Sequence, residues 1–103
     1  MIQTVLAMHN DKIRSIVISG HSGSADKGED LICAAVSASA FGTCNALDLL
    51  GSDAKCTIGD NRIEIRTVTE DETTAVILNT MRIQLETVQE GNETFVTIRK
   101  TEV

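Results

Sequence analysis

Two short runs near the N-terminus, Ile2-Gln3-Thr4-Val5-Leu6-Ala7-Met8 and Ile13-Arg14-Ser15-Ile16-Val17-Ile18-Ser19, are rich in aliphatic and β-branched residues. Runs of that kind read as strands. His9-Asn10-Asp11-Lys12 separates them, and Asn-Asp can take the positive φ that a tight hairpin turn requires. Residues 20–29 follow, with Gly20, Gly23 and Gly28 and no large apolar side chain, so an exposed, mobile loop is expected there. Residues 31–50 then read as a helix, with Asp30 offering an N-cap oxygen and Gly51 a C-terminal stop. This segment is apolar or small on nearly every side, which predicts a largely buried helix.

Ile63, Ile65 and Val68 alternate with polar neighbours and mark a third strand near 58–68. Residues 71–90 form a second helix in which Leu78, Met81, Leu85 and Val88 fall on one stripe. Glu70, Asp71 and Glu72 suit its N-terminal dipole, and Gly91 ends it. Residues 94–100 are a last strand. The order ββαβαβ predicts an α+β fold, two helices packed on a four-stranded, mainly antiparallel sheet. One domain across residues 1–103 is expected from the length.

Composition narrows the function classes. The 103 residues are 42% hydrophobic and 23% charged, in the range of folded globular chains. Aromatics are nearly absent, with two Phe, no Tyr and no Trp, so stacking platforms for single-stranded nucleic acid or flat ligands are not available. A net charge of −6 opposes a phosphate backbone and suits a basic partner, so no direct nucleic-acid binding is expected. No apolar run is expected to reach the roughly 18 residues of a membrane span. Met1-Ile2-Gln3-Thr4-Val5 lacks the basic start of a signal peptide. Three cysteines are an odd number, which reads as free thiols in a reducing compartment, and a cytoplasmic location follows as an expectation. No CxxC or HxxxH pairing is present, so neither a metal nor a cofactor is expected.

Candidate chemistry centres on His21 and Cys33. His21 follows a strand within the Gly-rich segment, and Cys33 stands three residues after Asp30, in a first helical turn. Helix N-termini stabilise thiolate, the attacking form in acyl transfer, and a nearby imidazolium adds to that. Backbone N–H groups of the same turn can serve an oxyanion. Glu29 and Asp30 carry charges that oppose thiolate formation. A cysteine on an apolar helix is also commonly a small buried hydrophobe, and Cys44, on nearly the same face, has the look of core. Cys56 lies in a polar stretch and reads as an incidental thiol, and His9 as a solvated turn residue. Spacing alone leaves nucleophile and packing residue both open for Cys33.

The stretch Ile18-Ser19-Gly20-His21-Ser22, with Gly28-Glu29-Asp30-Leu31-Ile32-Cys33-Ala34-Ala35-Val36-Ser37, resembles the signature of the bacterial ribosomal-processing cysteine protease family, Prp. That signature is a Gly-His pair closing a strand, a short Gly-containing loop, and Asp-x-x-Cys-Ala opening a helix with Ser four residues after the Cys. Phe41-Gly42-Thr43-Cys44-Asn45-Ala46, the segment order and the chain length are also similar, so the resemblance covers almost the whole chain. It implies a Cys-His dyad, with Cys33 as nucleophile and His21 as general base. Asp30 and Ser37 match motif positions and would support the site, although N-cap and helix-packing roles account for them equally well. The family removes an N-terminal extension from a large-subunit ribosomal protein, and its members are homodimers whose loop after the histidine closes over substrate. This chain departs from relatives in residues 22–27, Ser-Gly-Ser-Ala-Asp-Lys, where histidine or aromatic residues often stand.

Two other classes stay open on the residues themselves. One is a non-enzymatic binding module for a basic ribosomal protein or assembly factor. The other is a redox sensor in which Cys44 or Cys56 resolves an oxidised Cys33. Against the sensor, Cys33 and Cys44 would stand about 16 Å apart along a helix, beyond disulfide reach.

Overall fold

The computed structural model describes residues 1–21, 23 and 30–103. The strands are β1 (Ile2–His9), β2 (Lys12–Gly20), β3 (Lys55–Gly59), β4 (Arg62–Arg66) and β5 (Val96–Glu102), and the helices are α1 (Leu31–Leu49) and α2 (Glu72–Gln89). The expectation for residues 22 and 24–29, an exposed mobile loop, lies outside the described residues.

The β1–β2 hairpin forms as the pattern predicts. Asn10 and Asp11 take φ values of 51° and 64°, so both turn residues are left-handed, and His9 pairs with Lys12 across the turn. Alternation along β1 buries Ile2, Thr4 and Leu6 on one face. From β2 and β4 that face adds Ile16, Ile18 and Ile65, and the two helices close over it with Val36, Ala40, Leu47, Leu78, Met81 and Leu85. The stripe read from the sequence of α2 is therefore the one that packs, with Val88 at its margin.

The sheet has five strands rather than four. Its order is β3-β4-β2-β1-β5, with β5 parallel to β1 and the remaining pairings antiparallel. Where one strand was expected near 58–68, Asp60-Asn61 turns the chain, Asn61 at φ 55°, and splits the segment into the β3–β4 hairpin. The sequence does not mark β3 separately because its apolar alternation is only Cys56 and Ile58, two positions between Lys55, Thr57 and Gly59.

Helix α1 begins and ends on the residues expected of it. Asp30 is the N-cap, and its carboxylate accepts a hydrogen bond from the Cys33 N–H at 2.9 Å. At the other end Gly51 sits at φ 82°, and Ser52 N–H bonds Leu47 O at 2.9 Å, a Schellman closure of the last carbonyls. The expectation of a largely buried helix is not met. Only Val36, Ala40, Thr43 and Leu47 are buried, while Leu31 is 81% exposed, Leu49 and Leu50 also face outward, and Phe41 is partly exposed. One face meets the sheet, and no element among the described residues covers the opposite side. The same composition corrects a second expectation: α1 is long enough and, at a mean hydropathy of 1.3, apolar enough to match a membrane span. Here that length lies against the sheet and α2.

The ends of α1 and α2 are tied together. Ser52 Oγ lies 2.6 Å from Thr74 Oγ1, which donates to the Asp71 carboxylate at 3.0 Å, and Asp71 in turn caps α2 through the Thr74 N–H. These bonds join the exit of one helix to the entry of the other.

Candidate active site

The site is built where β2 ends and α1 begins. Gly20 closes β2 with φ 90°, a conformation that side chains other than hydrogen rarely adopt. A Cβ there would also collide with the backbone carbonyl oxygen of Met1. Gly20 N–H bonds Asn61 O at 3.1 Å, which pins the end of β2 to the β3–β4 turn. The Gly-His pair thus has a physical reason: only glycine lets the strand end so close to Met1 and deliver His21 next to it.

His21 and Cys33 line one cleft of about 200 Å³. Its floor and walls come from Ile2, Ile18, Val36, Phe41 and Ile63, with Ser37 one helical turn after Cys33. The β3–β4 hairpin completes it with Ile58, Gly59, Asn61 and Arg62. Cys33 is partly buried and packs on the margin of the core, so it is neither a sealed core residue nor a fully solvated one. Of the four residues singled out in the sequence, the cleft brings together His21, Cys33 and Ser37. Asp30 serves as helix cap, and it holds the Cys33 N–H. Ala34 N–H is likewise engaged, bonding Asp30 O at 3.1 Å. These two first-turn amides, expected as oxyanion donors, are therefore already taken.

The other two thiols read differently from expectation. Cys56 is not incidental: it faces the helices from β3, packs on the core and hydrogen-bonds with the Cys44 thiol. Burial first, and then contact with Cys44, push the Cys56 thiol up to about 12. Cys44 and Cys56 thus engage each other, well down α1 from Cys33. His9 is not a free turn residue either, since it ends β1 with Nδ1 2.7 Å from Val103 O. Among the described residues, no three His, Cys, Asp or Glu side chains gather as metal ligands would. Sequence reasoning missed the contribution of the β3–β4 hairpin to the cleft, and the signal that marks it is the Asp60-Asn61 turn.

The chain is similar to known proteins in both sequence and fold. The ribosomal processing cysteine protease Prp of Staphylococcus aureus is 34% identical over 83 residues, covering 77% of this chain and 78% of that protein. The Bacillus subtilis protein of the same description is 40% identical over 63 residues, covering 59% of this chain and 56% of that one. Among solved structures, an essential ribosomal processing protease Prp from S. aureus with a covalently linked product peptide superposes with a TM-score of 0.94 at 25% identity, covering 98% of this chain and all of that one. The S. aureus protease with a substrate peptide superposes at 0.83, again at 25% identity with 98% of this chain covered. The profile described as cysteine protease Prp matches residues 1–97, and the chain belongs to that family of cysteine proteases.

Proposed function

We propose that this protease removes the N-terminal extension of a large-subunit ribosomal protein during ribosome maturation, using Cys33 as nucleophile and His21 as general base. The observation that carries the dyad is that these two residues, far apart in local structure, line the same small cleft. The substrate assignment rests on the family resemblance, with the similar proteins described as ribosomal processing cysteine proteases.

In the proposed reaction the His21 imidazole takes the Cys33 thiol proton, and the sulfur attacks the scissile carbonyl carbon. The tetrahedral adduct collapses to a thioester as the proton passes from His21 to the leaving amine. Water then attacks the thioester, His21 again accepting its proton, and the extension leaves as a carboxylic acid while the thiol is restored. Two residues suffice because a thiol needs less activation than a serine hydroxyl. Asp30 acts in this scheme by capping α1 and fixing the first turn that carries Cys33, and Ser37 by packing one turn below it.

The proposal also includes a homodimer, supported by the exposed apolar side chains of Leu31, Val76 and Ile83 on the two helices. A cytoplasmic setting and no direct contact with nucleic acid belong to it as well, the latter supported by the net charge of −6. The test is cleavage of the extended ribosomal protein followed by mass. The native protein shortens it, while the Cys33→Ser and His21→Ala variants do not. Cleavage retained by Cys33→Ser would overturn the mechanism, and binding without cleavage by the native protein would assign a binding module instead.

A further inference from the structure

The two edges of the sheet are not alike. β5 carries Arg99, Lys100 and Glu102, charges of the kind that discourage another strand from pairing. β3 carries only Lys55, no proline, and a regular register against β4, and its Ile58 is 54% exposed. Among the described residues β3 pairs with β4 alone. This open edge borders the cleft that holds Cys33, to which Ile58 and Gly59 contribute.

Resting on the protease reading above, we infer that the substrate peptide docks as an added strand along the free edge of β3, which carries its scissile bond to Cys33. The register of the β3–β4 hairpin says which groups do this. Gly59 pairs with Arg62 across the two-residue turn, then Ile58 with Ile63, Thr57 with Glu64 and Cys56 with Ile65. In an antiparallel ladder the pair flanking such a turn is hydrogen-bonded, and bonded and non-bonded pairs alternate from there. Gly59 and Thr57 therefore spend their N–H and C=O groups on β4. Ile58 and Cys56 direct theirs to the open edge.

The side chains follow the same alternation. Ile58 lies on the face of Ile63, and both line the cleft. A peptide residue bonded to the Ile58 backbone sends its side chain to that face, among Ile18, Val36 and Phe41. Its neighbours on either side point away to solvent. Main-chain bonds to β3 thus supply affinity with little regard to sequence, and every second side chain is read by the cleft.

The test uses a fluorescein-labelled peptide spanning the cleavage junction of the ribosomal protein extension, with single N-methyl groups placed residue by residue. Binding is read by anisotropy on the Cys33→Ala protein. N-methylation raises the Kd about tenfold at every second position, the upper range for one net hydrogen bond, and less than about twofold between them. On the protein side, Ile58→Pro deletes one edge N–H that β4 does not use and raises the Kd of the unmodified peptide about tenfold, whereas Ile58→Val does not. Uniform or absent effects along the peptide would overturn the proposal, as would no binding at all. A change of sedimentation in Ile58→Pro would overturn it too, by assigning the edge to a second copy of the chain. Cleavage of the unmodified peptide by the native protein is scored separately: alternating binding without cleavage would sink the protease reading and leave the docking mode standing.

Discussion

Replacing Gly20 with alanine perturbs the point at which the sheet hands the chain to the candidate active site, and its cost follows from two separate features. The first is conformational. At φ 90° an L side chain is strained, by about 1–2 kcal/mol. The second is steric, since the new methyl group would overlap the Met1 carbonyl oxygen, which is backbone and can yield only if the start of β1 moves. Overpacking of that kind costs about 1–3 kcal/mol. The expected total is about 2–5 kcal/mol, a large fraction of the roughly 5–15 kcal/mol that holds such a domain together. Gly91 is an internal control, because its φ of 79° imposes the same kind of strain while a Cβ there meets nothing within 4 Å. Urea unfolding followed by far-ultraviolet circular dichroism compares the two, a convenient probe for a chain with no Tyr or Trp. Gly20→Ala loses at least 1 kcal/mol more than Gly91→Ala, and at temperatures where it remains folded it cleaves substrate more slowly because His21 is displaced. Equal losses in the two variants would refute the steric half of the argument.

Other expectations follow from the same contacts. Asp30→Ala removes the cap on Cys33 N–H and lowers stability by about 1 kcal/mol, while Asp30→Asn, which caps as well, leaves it within about 0.5 kcal/mol; thermal unfolding of both decides between cap and bystander. Thr4 is 1% exposed and its hydroxyl finds no partner among the described residues, so Thr4→Val raises the unfolding free energy by about 1 kcal/mol in denaturant titration. The folded state holds the Cys56 proton up to about 12, whereas an unfolded thiol releases it near 9.0. The stability this gives is whole below the lower value and falls as pH rises toward the upper one, and Cys56→Ala flattens that part of a stability–pH curve.

Much of this architecture is legible in the residues because its signals are local. Asn10-Asp11 specifies a left-handed turn, Asp30 and Gly51 bound α1, and the Leu78-Met81-Leu85 stripe faces the core. What the sequence hid depends on partners. β3 offers only Cys56 and Ile58 as apolar positions before the Asp60-Asn61 turn, too few to mark a strand of its own, and the uniform apolarity of α1 does not reveal how many neighbours a helix has. The parallel pairing of β5 with β1 joins the two ends of the chain and has no local mark. At the candidate site, His21 and Cys33 are marked by the motif and line one cleft, whereas the wall supplied by Ile58, Asn61 and Arg62 has no mark near them, since it arrives from a hairpin far along the chain. The thiol pair Cys44–Cys56 was missed for the same reason: one thiol lies on α1 and the other on β3.

The central claim is that Cys33 attacks the substrate carbonyl, and the acyl-enzyme tests it most directly. Native protein is mixed with the extended ribosomal protein, quenched in acid within the first turnovers, and weighed intact. The account predicts an adduct equal to the released extension less one water, mapped by digestion to Cys33 and absent from Cys33→Ser. Cleavage that proceeds with no such adduct on Cys33, and persists in Cys33→Ser, would contradict it.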